Sequence, residues 1–163
     1  MKPSIYPVPL AAPGRLFIMP KPSGEWLGED IAHYRDLGVD VVVSMLEQTE
    51  AASLGLSNEC VVCADHGVDF LSFPIADRGL PEAEAFKVLV RDVTNRIEDG
   101  QSVAVNCRAG IGRSGMLVSV VLAGFLGTAE EAIQTVSEAR GVEVPDTAAQ
   151  RSFVSTVVSS LNR

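Results

Sequence analysis

The sequence is poor in the residues that build disulfide and metal sites. Its 163 residues include three cysteines and two histidines. A small, odd cysteine count makes no disulfide framework. Cys60 and Cys63 form a lone C-x2-C without a second pair, and neither His33 nor His66 has the spacing of a zinc finger. Both thiols are therefore read as buried packing, on a helix face shared by Cys60, Val61 and Ala64. Basic residues are also scarce: 13 Lys and Arg stand against 21 Asp and Glu, for a net charge of −8. That balance argues against nucleic acid and anionic membrane as general partners. No uncharged apolar run reaches the roughly 20 residues of a membrane span. The nearest candidate, Gly115 to Ala129, is too short and rich in glycine. Met1 to Pro9 carries too many prolines for a secretory signal, so a cytoplasmic protein is expected. Repeats and long linkers are absent too. A single domain over residues 1–163, monomeric and with an ample apolar core, is the expectation.

What is present alternates between strand and helix signals. Strands are expected at Leu16–Met19, Asp40–Leu46, Val68–Ile75 and Val103–Val105, the second being β-branched and nearly continuous. Helices are expected at Glu29–Leu37, Thr49–Leu54, Asn58–His66, Pro81–Glu98, Gly112–Leu126, Ala129–Ala139 and Thr147–Leu161. In Pro81–Glu98 the apolar positions Ala85, Val88, Leu89, Val93 and Ile97 recur at helical spacing. This order predicts an α/β fold with a central, mostly parallel sheet flanked by helices. Ligands of such sheets bind at the carboxyl ends of strands.

One stretch stands at such an end: Asn106-Cys-Arg-Ala-Gly-Ile-Gly-Arg-Ser-Gly115. A strand that turns tightly into a helix leaves several backbone N–H groups aimed into one concavity, and the helix dipole adds to their pull on an anion. Gly110 and Gly112 permit the torsions and close approach of such a nest. The same field favours thiolate, the nucleophilic form of a cysteine such as Cys107. The planar fork of Arg113 can hold two phosphate oxygens, as a lysine cannot. The hydroxyl of Ser114 stands close in sequence to assist a leaving thiolate. A phosphoryl transfer to sulfur also needs a proton donor for the leaving oxygen. Asp77, in Phe73-Pro-Ile-Ala-Asp-Arg-Gly-Leu-Pro81, leaves the end of an apolar strand and is the best-placed carboxyl. Asp65, near a helix end, and Asp69, inside a strand, are worse placed.

Cys-x5-Arg-Ser, with both glycines and the strand and helix flanks, resembles the signature loop of the cysteine-dependent protein tyrosine phosphatases, in their small dual-specificity-like branch. The resemblance implies a phosphocysteine intermediate that water hydrolyses, with no metal and no cofactor. It implies that Cys107, Arg113, Asp77 and Ser114 are catalytic, and that Arg108, Ala109, Gly110, Ile111, Gly112 and Arg113 bind the phosphate. Arg108 is expected to point outward. Arg140-Gly141, Pro145 to Gln150 and Phe153 resemble a later segment of small family members, in which Gln150 would position water. Asn106 departs from the family, which carries His there; Asn brings no charge to the loop. No tyrosine-recognition loop is found, and one basic residue, Arg108, does not point to an inositide. The expected substrate is a phosphorylated protein, carrying phosphotyrosine and also phosphoserine or phosphothreonine. The alternative is a phospho-binding pseudophosphatase or interaction module with weakened catalysis. A sulfurtransferase or arsenate reductase with a similar cup is a further class, disfavoured by Asp77 and by the lack of a resolving cysteine near the loop.

Overall fold

A computed structural model describes residues 2–162. Five strands and seven helices follow in chain order: β1 Tyr6–Val8, β2 Leu16–Met19, α1 Leu27–Asp36, β3 Val41–Ser44, α2 Gln48–Ser53, α3 Glu59–Asp65, β4 Asp69–Ser72, α4 Ala83–Glu98, β5 Val103–Asn106, α5 Arg113–Leu126, α6 Ala129–Arg140 and α7 Ala148–Leu161. The strands form one sheet in the order β1-β2-β5-β3-β4. All pairs are parallel except β1 with β2. This is the expected mostly parallel sheet.

Every residue of β2, β3 and β5 is buried, as strands covered on both faces must be. Alternate side chains serve opposite layers. Leu16, Ile18, Val41, Val43, Val103 and Val105 pack under α4, α5, α6 and α7. Phe17, Met19, Val42 and Ala104 meet α1 and α3 on the other face. β5 lies between β2 and β3, so its last residue, Asn106, aligns with Met19 and Ser44. The chain leaves the middle of the sheet there and enters α5, whose residues 113–123 are all buried.

Four expectations need correction. The proline-rich entry forms the short edge strand β1, where Pro7 is tolerated because an edge residue need not donate on its open side. The Val68–Ile75 strand is regular only over β4, because Pro74 has no N–H for a ladder; Phe73 and Ile75 still donate to Ser44 and Met45. In α4 the buried stripe is Phe86, Leu89, Val90, Val93 and Ile97, while Ala85 and Val88 face water. In α3 the sheet-facing pair is Glu59 and Cys63, one helical turn apart, so Cys60, Val61 and Ala64 are exposed rather than packed. Of this pair only the Cys63 thiol is buried, and burial pushes its pKa up to about 12.

Candidate active site

The loop between β5 and α5 forms one wall of a cavity of about 320 Å³. Cys107, at the end of the central strand, is 3% exposed and lines this cavity. The backbone carbonyls of the loop are held outward. Lys21 N donates to the Arg108 carbonyl at 3.1 Å, Arg140 Nη2 to that of Ala109 at 3.0 Å, and Arg140 Nε to that of Gly110 at 3.1 Å. The Arg140 guanidinium also stacks on the Tyr6 ring, 4.4 Å from its centroid. With the carbonyls turned away, the opposite sides of these peptides are left for an anion. Among the described residues, the N–H groups of 108–114 find no protein acceptor. Gly110 has φ +73°, and a Cβ there would lie 2.4 Å from the Met19 carbonyl, so only glycine fits.

Arg113 is 2% exposed and is not idle. Its Nη1 and Nη2 donate to the two carboxylate oxygens of Glu50 at 2.7 and 2.9 Å. Nη1 also donates to the Ile75 carbonyl at 2.9 Å, and Nη2 reaches Asp77 at 3.4 Å. Burial opposes the guanidinium charge, but the Glu50 hydrogen bonds, Cys107 and Asp77 outweigh it, and the Arg113 pKa lies above its ordinary value. The same hydrogen bonds hold the Glu50 carboxyl below its ordinary range. Glu50 escaped sequence reasoning. It sits in the six-residue helix α2, 63 positions before Arg113, and belongs to no motif. The only signal was indirect: an arginine buried in an anion cup needs a counter-ion.

Asp77 lines the cavity opposite the loop and is largely exposed. Its neighbour Arg78 takes φ +63°, which turns the chain tightly, and pairs with Asp146 at 3.2 Å across the cavity mouth. Gln150 is fully buried, caps α7 through Thr147, donates from Nε2 to the Gly79 carbonyl at 3.3 Å and lines the cavity. A Cβ on Gly112 would come within 2.9 Å of its Oε1. Arg108, Ala109, Ile111 and Gly112 share the lining; Arg108 is exposed. Gly110 and Ser114 are buried and do not line it. Ser114 is fully buried and its Oγ has no hydrogen-bond partner. Asp65 and Asp69 lie outside the cavity, Asp69 pairing with Arg96 at 3.3 Å. Asn106 is fully buried; its Nδ2 donates to the Cys107 carbonyl at 3.3 Å and its Oδ1 has no partner. Among the described residues, no three His, Cys, Asp or Glu side chains gather as a metal site, and no helix is long and apolar enough to cross a membrane.

Solved structures share this fold. Kinase associated phosphatase, in a form with its catalytic cysteine changed to serine, superposes with a TM-score of 0.90 at 17% identity, over 99% of this chain and 97% of that one. Tk-PTP in its active form gives 0.75 at 26% identity, over 90% and 92%. The human tyrosine phosphatase-like serine/threonine/tyrosine-interacting protein gives 0.73 at 18%, over 91% and 93%. No curated protein matches the chain by sequence. A family model described as Swiss Army Knife protein, DSP-PTPase phosphatase domain, matches residues 8–157, and with the loop geometry above this makes the chain a member of that dual-specificity phosphatase-domain family.

Proposed function

We propose that the chain is an active cysteine-dependent phosphoprotein phosphatase, hydrolysing phosphotyrosine and also phosphoserine and phosphothreonine through a phosphocysteine. The observation that carries the reading is the loop itself. Cys107 borders a cavity beside N–H groups that have no protein acceptor, and Arg113 is immobilised at its side.

In the first step the Cys107 thiolate attacks phosphorus. The S–P bond forms, the ester P–O bond breaks, and Asp77 gives its proton to the departing oxygen. Loop amides and Arg113 hold the non-bridging oxygens. Glu50 grips the end of the guanidinium, leaving the Nε–Nη2 edge for two phosphate oxygens in place of the long Asp77 contact. In the second step water, positioned by Gln150, attacks phosphorus and yields its proton to the Asp77 carboxylate. The S–P bond breaks, and the Ser114 hydroxyl donates to the departing thiolate. The exposed position of Asp77 suits a group that must exchange protons with solvent.

The reading takes residues 1–163 as one monomeric domain acting in the cytoplasm. A second reading, a phosphoprotein-binding module, is favoured by Asn106, which brings no charge to the loop. Steady-state hydrolysis of para-nitrophenyl phosphate separates the two. For the enzyme, Cys107→Ser lowers turnover on the order of 10⁴-fold or more. Asp77→Asn slows alkyl phosphates far more than aryl phosphates, whose leaving groups need less protonation. Phosphopeptide binding without wild-type turnover would instead establish the module.

A further inference from the structure

A second cavity, of about 580 Å³, opens between α2 and α3 at the carboxyl ends of β3 and β4. It shares no lining residue with the cavity over Cys107. Leu46, Leu56 and Phe70 make apolar walls, and Ser57 and Ser72 offer hydroxyls. Its size is that of a small-molecule site. Among the described residues, no Lys, Arg or His lines it.

Glu59 lies in this lining, 2% exposed, and among the described residues its Oε2 has no hydrogen-bond partner. The Tyr34 hydroxyl, whose titration Glu59 influences, is likewise buried without a partner, so it does not satisfy the carboxyl. A buried carboxyl with no donor is costly, and soluble domains retain few of them. Elsewhere in this molecule the buried charge of Arg113 is matched by Glu50.

We propose that this cavity binds an organic cation, a primary ammonium or guanidinium on a short apolar stem, with Glu59 as its anionic anchor. The walls choose the class. An anion would face a carboxylate with no basic residue beside it. A purely apolar guest would leave Glu59 unpaired. A metal ion would find one carboxyl where several ligands are needed. A cation gives Glu59 a charge-assisted hydrogen bond, while its stem covers Leu46, Leu56 and Phe70. Burial pushes the Glu59 carboxyl up to about 7, so an arriving cation also draws it toward the ionised form.

The test is a titration of the full ¹⁵N-labelled chain, followed by amide shifts. The probes are n-butylammonium and n-butylguanidinium, with n-butanol as neutral isostere. Saturable shifts at Ala51, Leu56, Glu59 and Phe70 are expected with the cations and not with butanol. Glu59→Gln should weaken binding about tenfold or more, the worth of one charge-assisted hydrogen bond. Ser57→Trp, at an exposed rim position, should block the cavity with Glu59 intact and gives a second route if the first variant folds poorly. A blocked lysine, Nα-acetyl-lysine methylamide, distinguishes the sources: binding it too admits a protein side chain, and binding only the free cations assigns the site to small molecules. Absence of saturable cation shifts overturns the proposal. So does equal binding of butanol, or binding unchanged in both variants.

Discussion

Arg113 and Glu59 are equally removed from water, each 2% exposed, yet the fold handles them in opposite ways. Arg113 carries a two-pronged ion pair and a backbone carbonyl, so its charge is supported even with the cavity free of phosphate. Glu59 has no partner for its Oε2, and its affinity for protons rises instead. The first arrangement keeps a buried charge in one geometry. The second leaves a group that trades protonation against partnership. Burial alone therefore does not tell whether a charge is a fixed tool or a titratable one; the inventory of neighbours does.

The largest break in this comparison is Glu50→Ala, which would make Arg113 resemble Glu59. A buried guanidinium left with only the Ile75 carbonyl and the long Asp77 contact should lower unfolding free energy by about 3 kcal/mol. Inorganic phosphate should restore more stability to this variant than to the wild type, since it supplies the missing anion. Urea denaturation with and without phosphate reads both effects; no change in either would mean that Glu50 is dispensable.

Glu59→Gln should act with the opposite sign: removing the ionisation cost is worth about 3 kcal/mol at pH 8, and the buried amide without partners takes back about 1, leaving a net stabilisation of about 2 kcal/mol. Its pH dependence gives the sharper comparison. The folded carboxyl is raised from 4.5 to about 7, so ionisation of Glu59 adds no cost below about 4.5. Wild-type stability then falls as pH rises toward about 7, and the loss is complete above. The variant should lack this slope. The Glu50 carboxyl, held low mainly by the Arg113 hydrogen bonds, contributes stability that is present above its unfolded pKa and lost as pH falls. As pH rises, the pH-dependent difference from wild type should therefore develop below about 4.5 for Glu50→Ala and between about 4.5 and 7 for Glu59→Gln, and both persist above.

The smallest effect concerns an exposed pair. Arg78 and Asp146 are mostly in water, and Arg78→Ala should change stability by no more than about 0.5 kcal/mol. If the pair steadies the Asp77 turn, turnover falls a few-fold while phosphate affinity holds, a split that steady-state kinetics with phosphate inhibition would detect.

Much of the candidate site was legible because it is local. Cys107 to Ser114 are consecutive, their glycines carry the torsions, and the adjoining strand and helix are strongly apolar. Asp77, expected from its place after an apolar run, lines the same cavity. Other features depend on which way an element is rolled. Periodicity marked α4 as amphipathic but put Val88 on the wrong face, and α3 turned Cys60 outward while burying Glu59. Glu50 reached Arg113 only because α2 is brought across from the end of β3. Gln150, which the resemblance puts near the pocket, is both a cap and part of the cavity wall.

From the chain alone came the alternation that makes a parallel sheet and the short-range grammar of the β5–α5 loop, because strand propensity, glycine torsions and residue spacing act between near neighbours. The packed fold alone decided which charges meet: Glu50 with Arg113, Arg140 with the loop carbonyls, and nothing with Oε2 of Glu59. Those outcomes depend on helix rotation and on contacts across the sheet, where distance in space bears no simple relation to distance along the chain.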